Sequence, residues 1–167
     1  TEIYTLSLHD ALPISVQPIH LLGDLEKMAQ VQPGLVEHTH SYRALLNESA
    51  KYGSHVALGT DLPVAPANPL WNVYTAVTRK SPDGKALDPR LDRPENHLSV
   101  QEALTAYTIG SACAAGEEGL KGSLEGNKLA DFVVLSHDIL QEGMDPEKIM
   151  ECKVLATYLG GRKVWPS

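Results

Sequence analysis

Hydrophobic and polar positions along the chain follow first a helical and then a strand period, which predicts a mixed architecture. Residues 42–50 carry apolar side chains at helical spacing, and the apolar run 56–60 follows them closely. A helix that leads into a continuous apolar strand is typical of an α/β unit whose strand is buried on both faces. A short extended segment at 15–17 comes before them and ends at Pro18. The first half of the chain is therefore predicted to be α/β.

The second half of the pattern predicts one more helix and then a small β unit. Ser99 and Glu102 form an S-x-x-E capping box that opens a helix over 100–115. The β-branched run 131–135 predicts a strand, and the alternating stretch 153–165, with two glycines at its centre, predicts a hairpin.

Composition excludes several classes of protein. The 167 residues include 14 Lys and Arg against 21 Asp and Glu, a net charge of −7, which argues against a nucleic-acid-binding surface. Hydrophobic residues make up 43% of the chain, as in globular proteins, and no apolar run reaches the roughly 20 residues of a membrane span. Cys113 and Cys152 match no metal or disulfide spacing and are predicted to be reduced thiols.

The first residues look unlike the rest of the chain. Residues 1–14 lack an initiator Met and the charged and apolar regions of a targeting peptide. They resemble the translation of a sequencing adapter, so we expect 1–15 to be an artefact joined to a gene fragment. His9 and Asp10 fall in this stretch and are not candidate site residues.

Candidate chemistry lies just past the two apolar strands. Asp61 follows the run 56–60, and His20 follows the segment 15–17. Ligands and catalytic groups of parallel α/β folds collect at the carboxyl ends of strands, where a carboxylate can bind a metal or accept a proton from water. The alternatives are that Asp61 only caps a loop and that His20 is a hydrogen-bonded structural residue.

The remaining histidines are weaker candidates. His38 and His40 form an H-x-H pair, but they precede a helix rather than follow a strand, which predicts a solvated loop. Asp24 is predicted to cap a short helix. No serine-nucleophile, phosphate-loop or dinucleotide motif is present in the sequence. Three further histidines are predicted to be at the surface: His55, His97 and His137.

Seven segments resemble, in the same order, the C-terminal part of amidohydrolase-superfamily proteins. The similarity is strongest to amidohydrolase family 3 and its N-substituted formamide deformylase-like branch. The segments are VQPIHLLGD (16–24), SYRALL (41–46), VALGTDLPV (56–64), NPLWNVYTAVTR (68–79), VQEALTAYTIGSACAAGEE (100–118), KGSLEGNKLADFVVL (121–135) and TYLGGRKVW (157–165).

The resemblance implies a fold and a division into domains. Residues 16–118 would be the C-terminal part of a (β/α)8 barrel, and 119–167 would supply strands of a small composite β-sandwich. The chain is shorter than the about 250 residues of a complete barrel. We therefore expect a fragment that lacks the strands carrying the metal-binding histidines.

The resemblance also implies an activity. Family members hold one or two divalent ions, usually zinc, and cleave non-peptide C–N bonds of small amide-type substrates with metal-activated water. Asp61 would approach the metal and act as the base, His20 would contact substrate, and Arg79 would be structural. The parent protein would then be an enzyme, whereas the 167-residue chain alone is expected to be inactive. A non-catalytic α/β domain and a deaminase or cyclic-amide hydrolase of the same superfamily are the alternatives.

Overall fold

The computed structural model describes residues 13–31, 40–86 and 92–166. The predicted artefact, including His9 and Asp10, lies almost wholly outside the described residues, and so does His38. The helices are α1 (Leu21–Val31), α2 (Tyr42–Lys51), α3 (Pro69–Thr78), α4 (Val100–Thr105) and α5 (Ser111–Ala114). The strands are β1 (Ile14–Val16), β2 (Val56–Leu58), β3 (Phe132–Leu135), β4 (Val154–Leu159) and β5 (Arg162–Trp165).

The first sheet is a parallel pair that places the candidate residues at one edge. Strand β1 pairs with β2 in the register Ile14 to Val56 and Val16 to Leu58. All three residues of β2 are buried, which confirms the buried strand that the apolar run predicts. Because the two strands are parallel, their carboxyl ends meet at the same edge, and both His20 and Asp61 follow those ends.

The helical segment that runs from α4 to α5 packs against β2 through its central turn and through α5. The capping box forms as predicted, with the Ser99 hydroxyl accepting from the Glu102 N–H at 3.2 Å and the Glu102 carboxylate accepting from the Ser99 N–H at 2.7 Å. A π-helical turn, Ala106–Gly110, joins α4 to α5. A Cβ on Gly110 would lie 2.2 Å from the carbonyl oxygen of Val56, so only glycine permits this close approach.

Helix α3 is the buried centre of the α/β part. Asn68 caps it by accepting from the Leu70 N–H at 3.1 Å, and Pro69 occupies the first helical position. Its residues 72–77 are all buried. The hydrophobic pattern does not predict this helix, because a helix buried on all sides has no polar face to give a period.

The second sheet is antiparallel, with the strand order β3-β4-β5. The predicted hairpin is confirmed, since Gly160 and Gly161 both have positive φ in the turn between β4 and β5. Phe132 and Tyr158 stack across the sheet with ring centroids 4.5 Å apart. The fold is therefore α/β followed by a small antiparallel sheet, as predicted. The domain boundaries at 16–118 and 119–167 stay a prediction.

Smaller features complete the fold. Asp24 lies inside the first turn of α1 and is not its cap, because the helix begins earlier, at Leu21. Cys113 and Cys152 are both free thiols. Within the described ranges, no helix is long and apolar enough to cross a membrane.

Candidate functional site

His20 and Asp61 lie together at the carboxyl edge of the parallel pair. The Nε2 atom of His20 is 3.4 Å from the Oδ2 atom of Asp61, and their side chains are 27% and 52% exposed. This distance is longer than an ordinary hydrogen bond, and Nε2 has no hydrogen-bond partner among the described residues. The half-exposed Asp61 carboxylate can therefore still bind a water molecule or a substrate, whereas the Nε2 atom of His20 is itself buried.

The backbone, and not the carboxylate, fixes the position of Asp61. Its φ of 59° lies in the left-handed region, which few non-glycine residues adopt. Its carbonyl oxygen accepts from the N–H groups of Val64 at 2.7 Å and Ala65 at 3.3 Å, which closes the turn after β2. A strained backbone held in this way is common at functional sites.

The turn that carries His20 is attached to the buried helix α3. Pro18–His20 form a single 3-10 turn directly after β1. The side-chain oxygen of Asn72, a residue of α3 that is 0% exposed, accepts from the Ile19 N–H at 3.0 Å. Sequence reasoning missed Asn72 because this contact joins residues that are 53 positions apart.

The prediction that His40 lies in a solvated loop is wrong. Its side chain is only 15% exposed, and both ring nitrogens have partners. Nδ1 lies 2.6 Å from the hydroxyl of Tyr42, and Nε2 lies 3.1 Å from a carboxylate oxygen of Asp24. Its partners are 16 residues before it and two residues after it, and the former contact joins α1 to a residue that precedes α2.

A buried arginine supports His40 from the other side. Arg79 is 1% exposed, and its Nη1 atom donates to the His40 carbonyl oxygen at 3.2 Å. Its Nε atom is 3.3 Å from Asp92, whose carboxylate also lies 2.9 Å from His97 Nε2. Burial lowers the pKa of Arg79, and the nearby Tyr42 and Asp92 oppose this shift. These contacts agree with the structural role expected for Arg79, and His97 is paired rather than a free surface residue.

The other two histidines predicted to be at the surface differ in exposure. His55 is exposed, as predicted. His137 is half-buried, and its Nε2 atom lies 3.0 Å from the carbonyl oxygen of Lys148.

The described residues do not form a metal site by themselves. Within residues 13–31, 40–86 and 92–166, no group of three or more His, Cys, Asp or Glu side chains is arranged to hold a metal ion. Asp24 and His40 bind each other. Asp61 and His20 remain as potential ligands, which is fewer than the three protein ligands of a catalytic zinc centre.

Comparison with known proteins places the chain in a family. The model of the Amidohydrolase family matches residues 11–165. The chain belongs to this family. It is 39% identical over 157 residues to Protein LONG AFTER FAR-RED 3 of Arabidopsis thaliana, covering 91% of this chain and 24% of that protein. It is 33% identical over 109 residues to N-substituted formamide deformylase of Arthrobacter pascens, covering 65% of this chain and 19% of that enzyme.

Solved structures agree with the family. The chain is similar to an uncharacterized metal-dependent hydrolase from Pyrococcus horikoshii, with a TM-score of 0.57, 29% identity, and coverage of 70% of this chain and 22% of that one. A metal-dependent hydrolase from Pyrococcus furiosus gives a TM-score of 0.52 at 28% identity, covering 71% and 22%. The chain spans about a quarter or less of the length of these relatives.

Proposed function

We propose that this chain supplies part of the active site of a metal-dependent hydrolase that cleaves a non-peptide C–N bond, of the amide or N-formyl type, in a small molecule. The observation that carries the proposal is the contact between His20 and Asp61 at the carboxyl edge of the parallel strands. Family membership supports a hydrolase. The similarity to N-substituted formamide deformylase supports the C–N bond as the target.

Asp61 is proposed to be the base. A half-exposed carboxylate can take a proton from an attacking water molecule and later pass it to the leaving nitrogen, which needs a proton to depart as an amine. His20 lies within reach of the same carboxylate oxygen and is proposed to contact the substrate. Its contact with Asp61 is poorly aligned here, and such catalytic contacts often tighten only when substrate is bound.

A divalent metal ion, with zinc the first candidate, is proposed as the cofactor. The similarity to metal-dependent hydrolases supports a metal, and Asp61 is proposed as one ligand because carboxylates bind zinc. The described residues do not complete the ligand set, so the remaining ligands are proposed to lie outside them.

Asp61→Asn, made in the protein translated from the complete gene, tests the proposal. Asn keeps the size of the side chain but cannot accept the proton, so kcat for hydrolysis of an N-substituted formamide should fall by about 10²–10⁴-fold. Asp138→Asn is the matched control, because Asp138 is exposed and far from the strand ends in sequence. It should leave kcat unchanged. An Asp61→Asn variant with full activity would show that Asp61 is only a loop residue.

A further inference from the structure

A small polar pocket lies beside His20, and the role proposed for Asp61 does not account for it. Its volume is about 200 Å³. This is below the roughly 300 Å³ at which pockets begin to hold drug-sized ligands, so it fits a group of a few heavy atoms. We call it the Asp24 pocket. Among the described residues its polar lining consists of Ser15, Gln17, His20, Asp24, His40 and Tyr42.

The hydrogen bonds of His40 determine what the pocket offers to a ligand. An ionised carboxylate only accepts, so the proton on His40 lies on Nε2, which donates to Asp24 at 3.1 Å. Nδ1 then accepts from the Tyr42 hydroxyl at 2.6 Å. Burial lowers the pKa of His40, which keeps the ring neutral near pH 7. His40 is thus fully occupied, and it fixes the orientation of the Asp24 carboxylate.

The charge of the Asp24 pocket is negative. Asp24 is 49% exposed, and only one of its carboxylate oxygens accepts from His40. None of the described residues that line the pocket is Lys or Arg. Arg79, whose charge acts on His40 and Tyr42, is buried outside this lining and is paired with Asp92. Such a pocket attracts cations and N–H donors and repels carboxylates.

We propose that the Asp24 pocket binds the amine side of the substrate, as an ammonium or N–H-bearing group that donates to Asp24. The inference rests on the proposed function. His20 lines the pocket and also lies 3.4 Å from Asp61. Since His20 borders both, a substrate whose C–N bond lies at Asp61 can reach the pocket with one substituent. Hydrolysis of an amide gives a cationic amine and an anionic acid at neutral pH, and the negative pocket selects the amine.

Titration with two small probes tests this inference on the 167-residue chain. Ethylammonium and acetate are similar in size and opposite in charge. Each is added at constant ionic strength while the imidazole ¹H–¹⁵N signals of His20 and His40 are followed by NMR. Ethylammonium should shift them with a millimolar Kd, and acetate should bind at least about tenfold more weakly. Comparable binding of acetate, or no shift with ethylammonium, overturns the proposal.

A pair of variants assigns the effect to Asp24. Asp24→Asn should weaken ethylammonium binding at least about tenfold, because the amide has no negative charge. Glu26→Gln is the matched control, since Glu26 is also exposed on α1 but pairs with Lys85 outside the pocket. It should change Kd less than twofold. Equal losses in both variants would mean nonspecific attraction and would overturn the proposal. Melting curves of both variants establish that each is folded.

The proposal for the Asp24 pocket and the proposal for Asp61 can fail independently. If Asp61→Asn abolishes hydrolysis but ethylammonium does not bind, the amine subsite is wrong and the proposed function stands. If ethylammonium binds through Asp24 but Asp61→Asn keeps full activity, the role of Asp61 is wrong and the pocket stands as a cation site.

Discussion

Two neighbouring groups of polar residues in the α/β part are built in opposite ways. The His20–Asp61 pair is partly exposed and has no aligned hydrogen bond between its side chains. The cluster of Asp24, His40, Tyr42 and Arg79 is mostly buried, with Tyr42 and Arg79 each 1% exposed. The difference shows that the pair depends on its backbone for position, whereas the cluster depends on its own side-chain contacts.

This difference has consequences for stability and for function. Removing one member of a buried polar network leaves its partners without hydrogen bonds, which lowers the free energy of unfolding. Removing an exposed carboxylate leaves no such deficit, because water replaces it. Mutations in the cluster should therefore lower stability, and mutations in the pair should leave stability nearly unchanged.

The largest expected loss is for Arg79→Met. Met fills similar space but leaves the His40 carbonyl oxygen and the Asp92 carboxylate without the guanidinium, so the free energy of unfolding should fall by about 3 kcal/mol. Urea denaturation of the variant and the original chain measures this. Arg162→Met, at an exposed position of β5, is the control and should change it by less than about 0.5 kcal/mol. A loss below about 1 kcal/mol at Arg79 would mean that the cluster is no more tightly coupled than the pair.

Tyr42→Phe should have the next largest effect. The buried ring is retained, but His40 Nδ1 loses its donor, which should cost about 1–2 kcal/mol of unfolding free energy. Denaturation measures the loss, and the imidazole ¹⁵N shifts of His40 should show that Nδ1 has lost its hydrogen bond while the proton stays on Nε2, where Asp24 still accepts it. Tyr52→Phe is the control because Tyr52 is 49% exposed. Equal stability of the two variants would show that the hydroxyl of Tyr42 contributes nothing.

The same contrast explains which parts of the molecule the sequence predicts. Asp61 and His20 each follow an apolar strand, and parallel strands bring their ends together, so the pair follows from local patterns. The Asp24–His40 contact follows from no local period, because it joins α1 to a residue 16 positions further along the chain. Helix α3 is not predicted for a related reason, since the burial of its residues 72–77 leaves little polar face to give an amphipathic pattern. The capping box and the hairpin were predicted because their contacts lie a few residues apart.

The partly exposed ion pair between Arg43 and Glu102 should make a smaller contribution to stability, and this contribution should depend on pH. Arg43 donates to the His97 carbonyl oxygen at 2.9 Å and to Glu102 at 2.7 Å. Its hydrogen bond lowers the pKa of Glu102 to about 2 from the ordinary 4.5. A lowered carboxyl pKa stabilises the fold above pH 4.5, and this contribution is lost as pH falls toward 2.

Glu102→Gln measures that contribution. Glu102 is 34% exposed, so solvent screening reduces the effect to about 1 kcal/mol. Near pH 7 the free energy of unfolding of the variant should be lower than that of the original chain by this amount. Between pH 4.5 and pH 2 the free energy of unfolding should fall less in the variant than in the original chain. Gln still completes the capping box, which separates the charge from the cap. Glu151→Gln, at an exposed position, should follow the original chain at every pH. If the free energy of unfolding of Glu102→Gln and that of the original chain changed with pH in parallel, this prediction would be contradicted.

The smallest expected change in stability is for Asp61→Asn. The turn at Asp61 is closed by its carbonyl oxygen, which the substitution keeps. Asn also tolerates the positive φ of 59° better than most residues, so the backbone should not gain strain. The free energy of unfolding, measured by thermal melting, should therefore change by less than about 0.5 kcal/mol. Asp61→Ala separates the two factors, because it removes the side-chain polarity and also tolerates the left-handed backbone less well. If Asp61→Asn alone lowered stability by more than about 1 kcal/mol, the carboxylate would be a structural cap, and the pair would depend on side-chain contacts as the cluster does.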